Sequence, residues 1–168
     1  MTAVQPPFED ILISPVLSAP FFVEGMFQNA YGHSAPEFGQ PLVCFYRKSW
    51  DHFVPLCFTL FWKHEEVMLN GGSVTNGAGF SQVPEQLSRE IRESEGLFYY
   101  ILRFGFEHFK DDCDAFFAIC GDERAWDVSM KAGFEPTRYK HLIVNFHKPM
   151  PQWRKDSLTD RIHQLGSF

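Results

Sequence analysis

Residues 114–134, DAFFAICGDERAWDVSMKAGF, are the stretch whose reading decides the fold. The run from Asp114 to Cys120 is short and almost wholly apolar, the pattern of a fully buried strand. Gly121-Asp122 interrupts it, and Asp122 is a good N-cap for a helix over Glu123 to Ala132. Gly133 ends that helix as a left-handed cap, with Phe134 placed for the accompanying apolar contact. Upstream, Leu97 to Lys110 carries apolar residues on nearly every face, so it reads as a helix held between a sheet and something else. Gly105 in its middle costs about 1 kcal/mol against Ala, which points to close packing there. Downstream, Tyr139 to Phe146 reads as a strand with Leu142, Val144 and Phe146 on one face, followed by a polar helical tail over residues 152–165.

The first half of the chain reads as strands after one helix. Residues 1–20 are rich in proline and include an apolar run, Ile11 to Ile13, suited to an edge strand. Phe21 to Tyr31 has helical spacing, with Ser18 available as its cap. Residues 32–41 form a loop. Leu42 to Arg47, Val54 to Trp62 and a third run from Glu66 make an antiparallel meander. The third run leads into residues 70–79, whose four Gly and two Asn read as turns, with Asn70 to Ser73 open equally to a hairpin or bulge and to backbone that lies along a bound ligand. Pro84 to Ser94 is charged and helix-compatible. The expected architecture is an α/β fold, a mixed sheet with helices on both faces. At 168 residues it fits one domain, with residues 1–20 an N-terminal extension and 150–168 a C-terminal helical tail.

Composition limits the function. The net charge of −6, from 15 basic and 21 acidic side chains, argues against a nucleic-acid binder, which would show a basic stripe. Cys44, Cys57, Cys113 and Cys120 form no CxxC pair and read as reduced thiols of a cytoplasmic protein. No run reaches the ~18 apolar residues of a membrane span, and no signal peptide is recognisable. Nineteen Phe imply either an aromatic core or a greasy surface that meets another chain. With the apolar helix they leave room for a homodimer. His108, His141 and His147 lack metal-ligand spacing, so no metal is expected.

Ala125, Lys131, Gly133 and Phe134, after a core strand and a polar turn closed by Asp122, give the segment a resemblance to the GNAT N-acetyltransferase superfamily. Element order extends the resemblance over roughly residues 20–148. It implies transfer of an acetyl or other acyl group from acyl-CoA to a small-molecule amine by direct attack. The family's cofactor loop cradles the CoA pyrophosphate on bare amides at the start of the long helix. The matching segment here is Arg92-Glu93-Ser94-Glu95-Gly96-Leu97, in which Glu95 and Leu97 take the two small-residue positions. Ser94, Gly96, Leu97 and Phe98 are the candidate phosphate-binding residues, joined by Asp122 and by Ser73 of the third strand. The family's leaving-group acid, a Tyr four residues before the Gly of the Gly-Phe pair, is matched by Ser129, a far weaker acid. Glu66 is the candidate base. Two readings stay open: an acyl-CoA-dependent N-acyltransferase, or a catalytically inactive module of the same fold that binds a small molecule or a protein.

Overall fold

The computed structural model describes residues 4–168, which form one seven-stranded mixed sheet with helices on both faces. β1 (Ile11–Pro15), β2 (Gln40–Ser49), β3 (His52–His64) and β4 (Val67–Thr75) run as an antiparallel meander, with α1 (Ala19–Tyr31) inserted after β1. A short 3-10 turn, α2 (Glu85–Glu93) and α3 (Leu97–Phe109) then carry the chain across to β5 (Ala115–Ile119), which pairs parallel to β4. After α4 (Glu123–Ala132) come the two-residue β6 (Glu135–Pro136), β7 (Leu142–Asn145) and α5 (Gln152–His163). The spatial order is β1-β2-β3-β4-β5-β7-β6.

Strand alternation sorts the core into two faces. In β5, Phe116 and Ala118 join the core under α3 and α4, while Ala115 and Phe117 join the one under α5. In β7, Ile143 goes to the first, and Leu142 and Val144 to the second. Five Phe, at 58, 61, 109, 116 and 117, are fully buried. Others stand at the surface, Phe21, Phe38 and Phe53 among them, so the Phe excess feeds core and surface alike.

The caps follow the sequence. Ser18 Oγ accepts from the Phe21 amide at 3.4 Å, and Asp122 Oδ1 from the Ala125 amide at 2.8 Å. Gly133 donates its N–H to the Ser129 and Met130 carbonyls. Gly105 faces β3: a Cβ there would lie 2.4 Å from two ring carbons of Phe61. That contact is why the long helix carries a glycine.

Two segments sharpen the sequence reading. Residues 70–75 are the second half of β4, paired to β3 as far as Thr75, so of the alternatives left open for 70–73 the chain takes the bulge. The register skips between Phe58↔Val74 and Leu60↔Gly71, so Gly72 and Ser73 together face Thr59 across a β-bulge. Gly72 supplies the positive φ (+64°) this bulge needs. The strand expected over residues 139–146 is shorter. His141 adopts φ +68°, and Thr137 Oγ1 donates to the carbonyls of Tyr139 and Leu142, so residues 137–141 form a hairpin loop before β7.

Candidate active site

β4 and β5 share their ladder only from Val67↔Ala115 to Asn70↔Ala118. Beyond it β4 continues to Thr75 on β3, while β5 ends at Ile119 and turns into α4, so the sheet splits. A cavity of about 470 Å³ fills the split. Its walls are Asn70 to Ser73 of β4, Ala118 to Asp122 from β5 and the turn after it, Phe98 of α3, Ala125 and Ser129 of α4, and Tyr31 of α1. A second cavity, about 640 Å³, opens beside it against the 137–141 loop and shares Cys120, Gly121 and Asp122.

Ser73, Phe98, Asp122 and Ser129, all chosen from sequence, are thus brought to one cavity. Ser94, Gly96 and Leu97 form the turn that leads into Phe98. Gly96 caps α3 without a side-chain bond, and among the described residues nothing accepts from the amides of Leu97, Phe98 and Tyr99. Such amides carry the positive end of the helix dipole. The Gly96 amide is engaged, by Ser94 Oγ at 3.1 Å. Glu95 does not fold over this helix end: its carboxylate pairs with Lys131 of α4 at 3.1 Å.

Glu66 is not brought to the cavity. It precedes the first residue of β4, about 13 Å along the strand from Asn70 at roughly 3.3 Å per residue. Arg161 of α5 donates to its Oε1 at 2.5 Å, and that bond holds the carboxyl below its ordinary range. The carboxylate is thus engaged at the far end of the strand and does not line the cavity in the split.

Ser129 is 3% exposed. The Cys120 thiol donates to the Asp122 carbonyl at 3.5 Å, and burial pushes its pKa up. Burial also pushes Cys57 and Cys113 to about 12 and Cys44 well above the ordinary thiol value, so none of the four is a ready nucleophile. Among the described residues no group of three His, Cys, Asp or Glu is placed to hold a metal ion. No helix there is long and apolar enough to cross a membrane.

Sequence reasoning missed Tyr31, and it singled out Asn70 only as part of the backbone run 70–73, not for its side chain. The Tyr31 phenol, from the last turn of α1, donates to the Ser73 carbonyl at 2.5 Å, and burial raises its pKa. Asn70 is 4% exposed and gives one amide proton to Thr59 Oγ1 (2.8 Å) and the other to the Leu60 carbonyl (3.0 Å). A Tyr directly before a helix-ending Gly carries no local mark of a role. An Asn before two Gly reads as a turn.

No protein-family model matches the chain, and neither does any curated protein sequence. Solved structures do. A proposed acetyltransferase from Pyrococcus horikoshii superposes with a TM-score of 0.54 at 12% identity, over 79% of this chain and 46% of its own. The chain thus spans less than half of that protein's length. The ribosomal-protein-S18-alanine N-acetyltransferase from Escherichia coli superposes with a TM-score of 0.51 at 10% identity, over 84% of this chain and 97% of its own. A GNAT-family acetyltransferase from Bacillus anthracis aligns more loosely, with a TM-score of 0.43. Identities this low speak for architecture and leave the chemistry to the site. With its split mixed sheet and the element order read from the sequence, this chain shares its fold with the first two of these acetyltransferases.

Proposed function

We propose that this chain transfers an acetyl or other acyl group from acyl-CoA to an amine by direct attack. The observation that carries the reading is the cavity in the sheet split, with the uncapped amides of α3 beside it. An elongated thioester arm suits a slot walled by the backbone of Asn70 to Ser73 and by small residues of β5. Its diphosphate would take the amides of Leu97, Phe98 and Tyr99, which are oriented for an anion before any ligand arrives. Lys131 neutralises Glu95 there, so the carboxylate weakens the phosphate site without abolishing it.

The amine would enter through the larger cavity and meet the thioester at the shared Cys120-Gly121-Asp122 corner. Asp122 Oδ1 caps α4 and leaves Oδ2 to receive an amine proton, the part expected of Glu66. The nitrogen attacks the carbonyl carbon, the C–S bond breaks, and the thiolate takes a proton. Ser129 is buried and a poor acid. The Tyr31 phenol carries a proton at neutral pH as any phenol does and stands on the wall the thioester passes, so it fits as the proton source once it turns from the Ser73 carbonyl to the sulfur.

The test is a thermal-shift titration with acetyl-CoA, longer acyl-CoAs and free CoA, followed by an amine screen. A ligand at a hundred times its Kd adds about 2.7 kcal/mol, or roughly 5–11 °C in Tm for a domain of this size. No shift with any of them at millimolar concentration refutes the proposal. The Ser94 bond to the Gly96 amide favours a second reading, a non-catalytic binding module. A shift with free CoA and no transfer to any amine would select it.

A further inference from the structure

The bulge in β4 builds a directed chain of hydroxyls that ends at the cavity. The Leu60 carbonyl only accepts, so the Asn70 group facing it, at 3.0 Å, is the NH2. The second proton of that NH2 goes to Thr59 Oγ1 at 2.8 Å, and both Asn70 donors are spent. Thr59 is 0% exposed, and its own hydroxyl proton has one acceptor within reach, Ser73 Oγ at 2.7 Å. The reverse assignment would leave a buried hydroxyl proton unpaired, so Thr59 is the donor and Ser73 the acceptor. The Ser73 proton is then the one left over, and Ser73 lines the cavity. Its carbonyl is separately held by the Tyr31 phenol, which fixes the backbone that presents the hydroxyl.

We propose that Ser73 is a catalytic hydrogen-bond donor to the thioester carbonyl oxygen, with Thr59 and Asn70 as positioning residues that force its proton into the cavity. This rests on the acyl-CoA reading above and adds to it a donor preorganised for the charge that develops on oxygen. As the amine nitrogen bonds to the carbonyl carbon, the C=O electron pair moves to oxygen, where the Ser73 O–H meets it. The pair returns as the C–S bond breaks. The proton lost by nitrogen leaves through Asp122 and the thiolate is protonated by Tyr31, so the products are an amide and a free thiol. Ser73 keeps its proton throughout.

The experiment is infrared difference spectroscopy of acetyl-CoA, 13C-labelled at the thioester carbonyl, bound to wild type, Ser73→Ala, Thr59→Val and Thr59→Ser, alongside kcat for each with an amine the wild type accepts. In the wild type the carbonyl band lies below its position in free acetyl-CoA. Ser73→Ala returns it to the free value and lowers kcat about 100-fold. Thr59→Val keeps the shape and loses the directing proton, so the band broadens upward and kcat falls about tenfold. Thr59→Ser restores both, which a merely structural Thr59 would not require. Thermal unfolding of each variant separates misfolding from the effect. An unchanged band in Ser73→Ala, with acetyl-CoA still bound, overturns the Ser73 assignment and leaves acyl transfer standing. Absence of any bound thioester band in the wild type overturns both.

Discussion

Gly105→Ala sets helix propensity against packing, and the structure decides which wins. Propensity alone favours Ala by about 1 kcal/mol in a helix interior. The added methyl, however, would sit 2.4 Å from Cε2 and Cζ of Phe61 and 3.3 Å from Leu42 Cδ1. A ring tip free to swing would make room at little cost. Phe61 is 0% exposed, and its ring is enclosed by Phe106, Phe109 and Phe116 at centroid distances of 6.5, 5.2 and 6.0 Å. Either the ring moves into those neighbours or α3 lifts from β3, and overpacking of this kind costs typically 1–3 kcal/mol. The net expectation is a loss of about 1 kcal/mol, up to about 2, or roughly 2–8 °C in Tm. Urea unfolding reads it as a lower midpoint at unchanged slope. In a Phe61→Leu background the ring is gone, so the same substitution should cost less than in wild type or stabilise. A higher midpoint for Gly105→Ala alone, or an equal cost in both backgrounds, refutes the reasoning.

Glu95→Gln removes the carboxylate beside the α3 amides. It should tighten acetyl-CoA about two- to fivefold, from the roughly 0.3–1 kcal/mol of a charge at a helix end. Calorimetry that finds equal or weaker binding counts against the phosphate site. Lys131→Ala unpairs Glu95 and should loosen binding by a similar factor. Asp114 is held below the ordinary carboxylate range by its hydrogen bond from Lys148 first, then by the one from Arg154. A depressed carboxyl stabilises above its unfolded pKa, near pH 4, and that contribution is lost as pH falls through the folded value. Asp114→Asn should therefore cost at most about 1 kcal/mol at pH 7, and the gap to wild type should close below pH 4. A gap that persists at pH 2 shows that the ion pairs are not its source. Gly72→Ala places its Cβ no nearer than 3.6 Å to Phe27, so its cost is backbone strain at φ +64°, about 1–2 kcal/mol. A neutral result by urea unfolding would mean that the bulge relaxes.

The second half of the fold was legible because its signals are local. Asp122 and Gly133 bracket α4 by their own hydrogen bonds, and the apolar run of β5 requires burial whatever surrounds it. Residues 70–79 left turn and bulge both open for a physical reason: Gly and Asn lower the cost of turning without requiring a turn. The ladder from β3 supplies partners as far as Thr75, and the chain spends its glycine freedom on a bulge instead. Glu66 shows the limit in another form. Sequence placed a carboxylate at the start of the third strand, but which end of β4 borders the cavity depends on where β5 stops pairing. That point is fixed by contacts with a segment nearly fifty residues away.

The loop before α3 is where local reading and folded geometry part most usefully. Read alone, Glu95 beside Gly96 is a carboxylate where the family resemblance implies a phosphate. In the folded chain α4 packs against α3 and brings Lys131 to Glu95. Lys131 is among the residues on which the resemblance was recognised, so one motif position answers the departure at another. The pair is not equivalent to a bare glycine loop. At side-chain exposures of 61% and 48% the two charges attract only modestly in water, and an incoming diphosphate competes with Glu95 for the same ammonium. On the proposed function, binding by this route would release Glu95 into solvent and turn Lys131 to the phosphate. It follows that raising the salt concentration weakens both the resting pair and the Lys131–phosphate contact, while the α3 amides keep their orientation. Acetyl-CoA affinity in Glu95→Gln should therefore fall more steeply with salt than in wild type, where screening also relieves the competitor. Parallel salt dependences in the two proteins would show that Lys131 does not exchange partners.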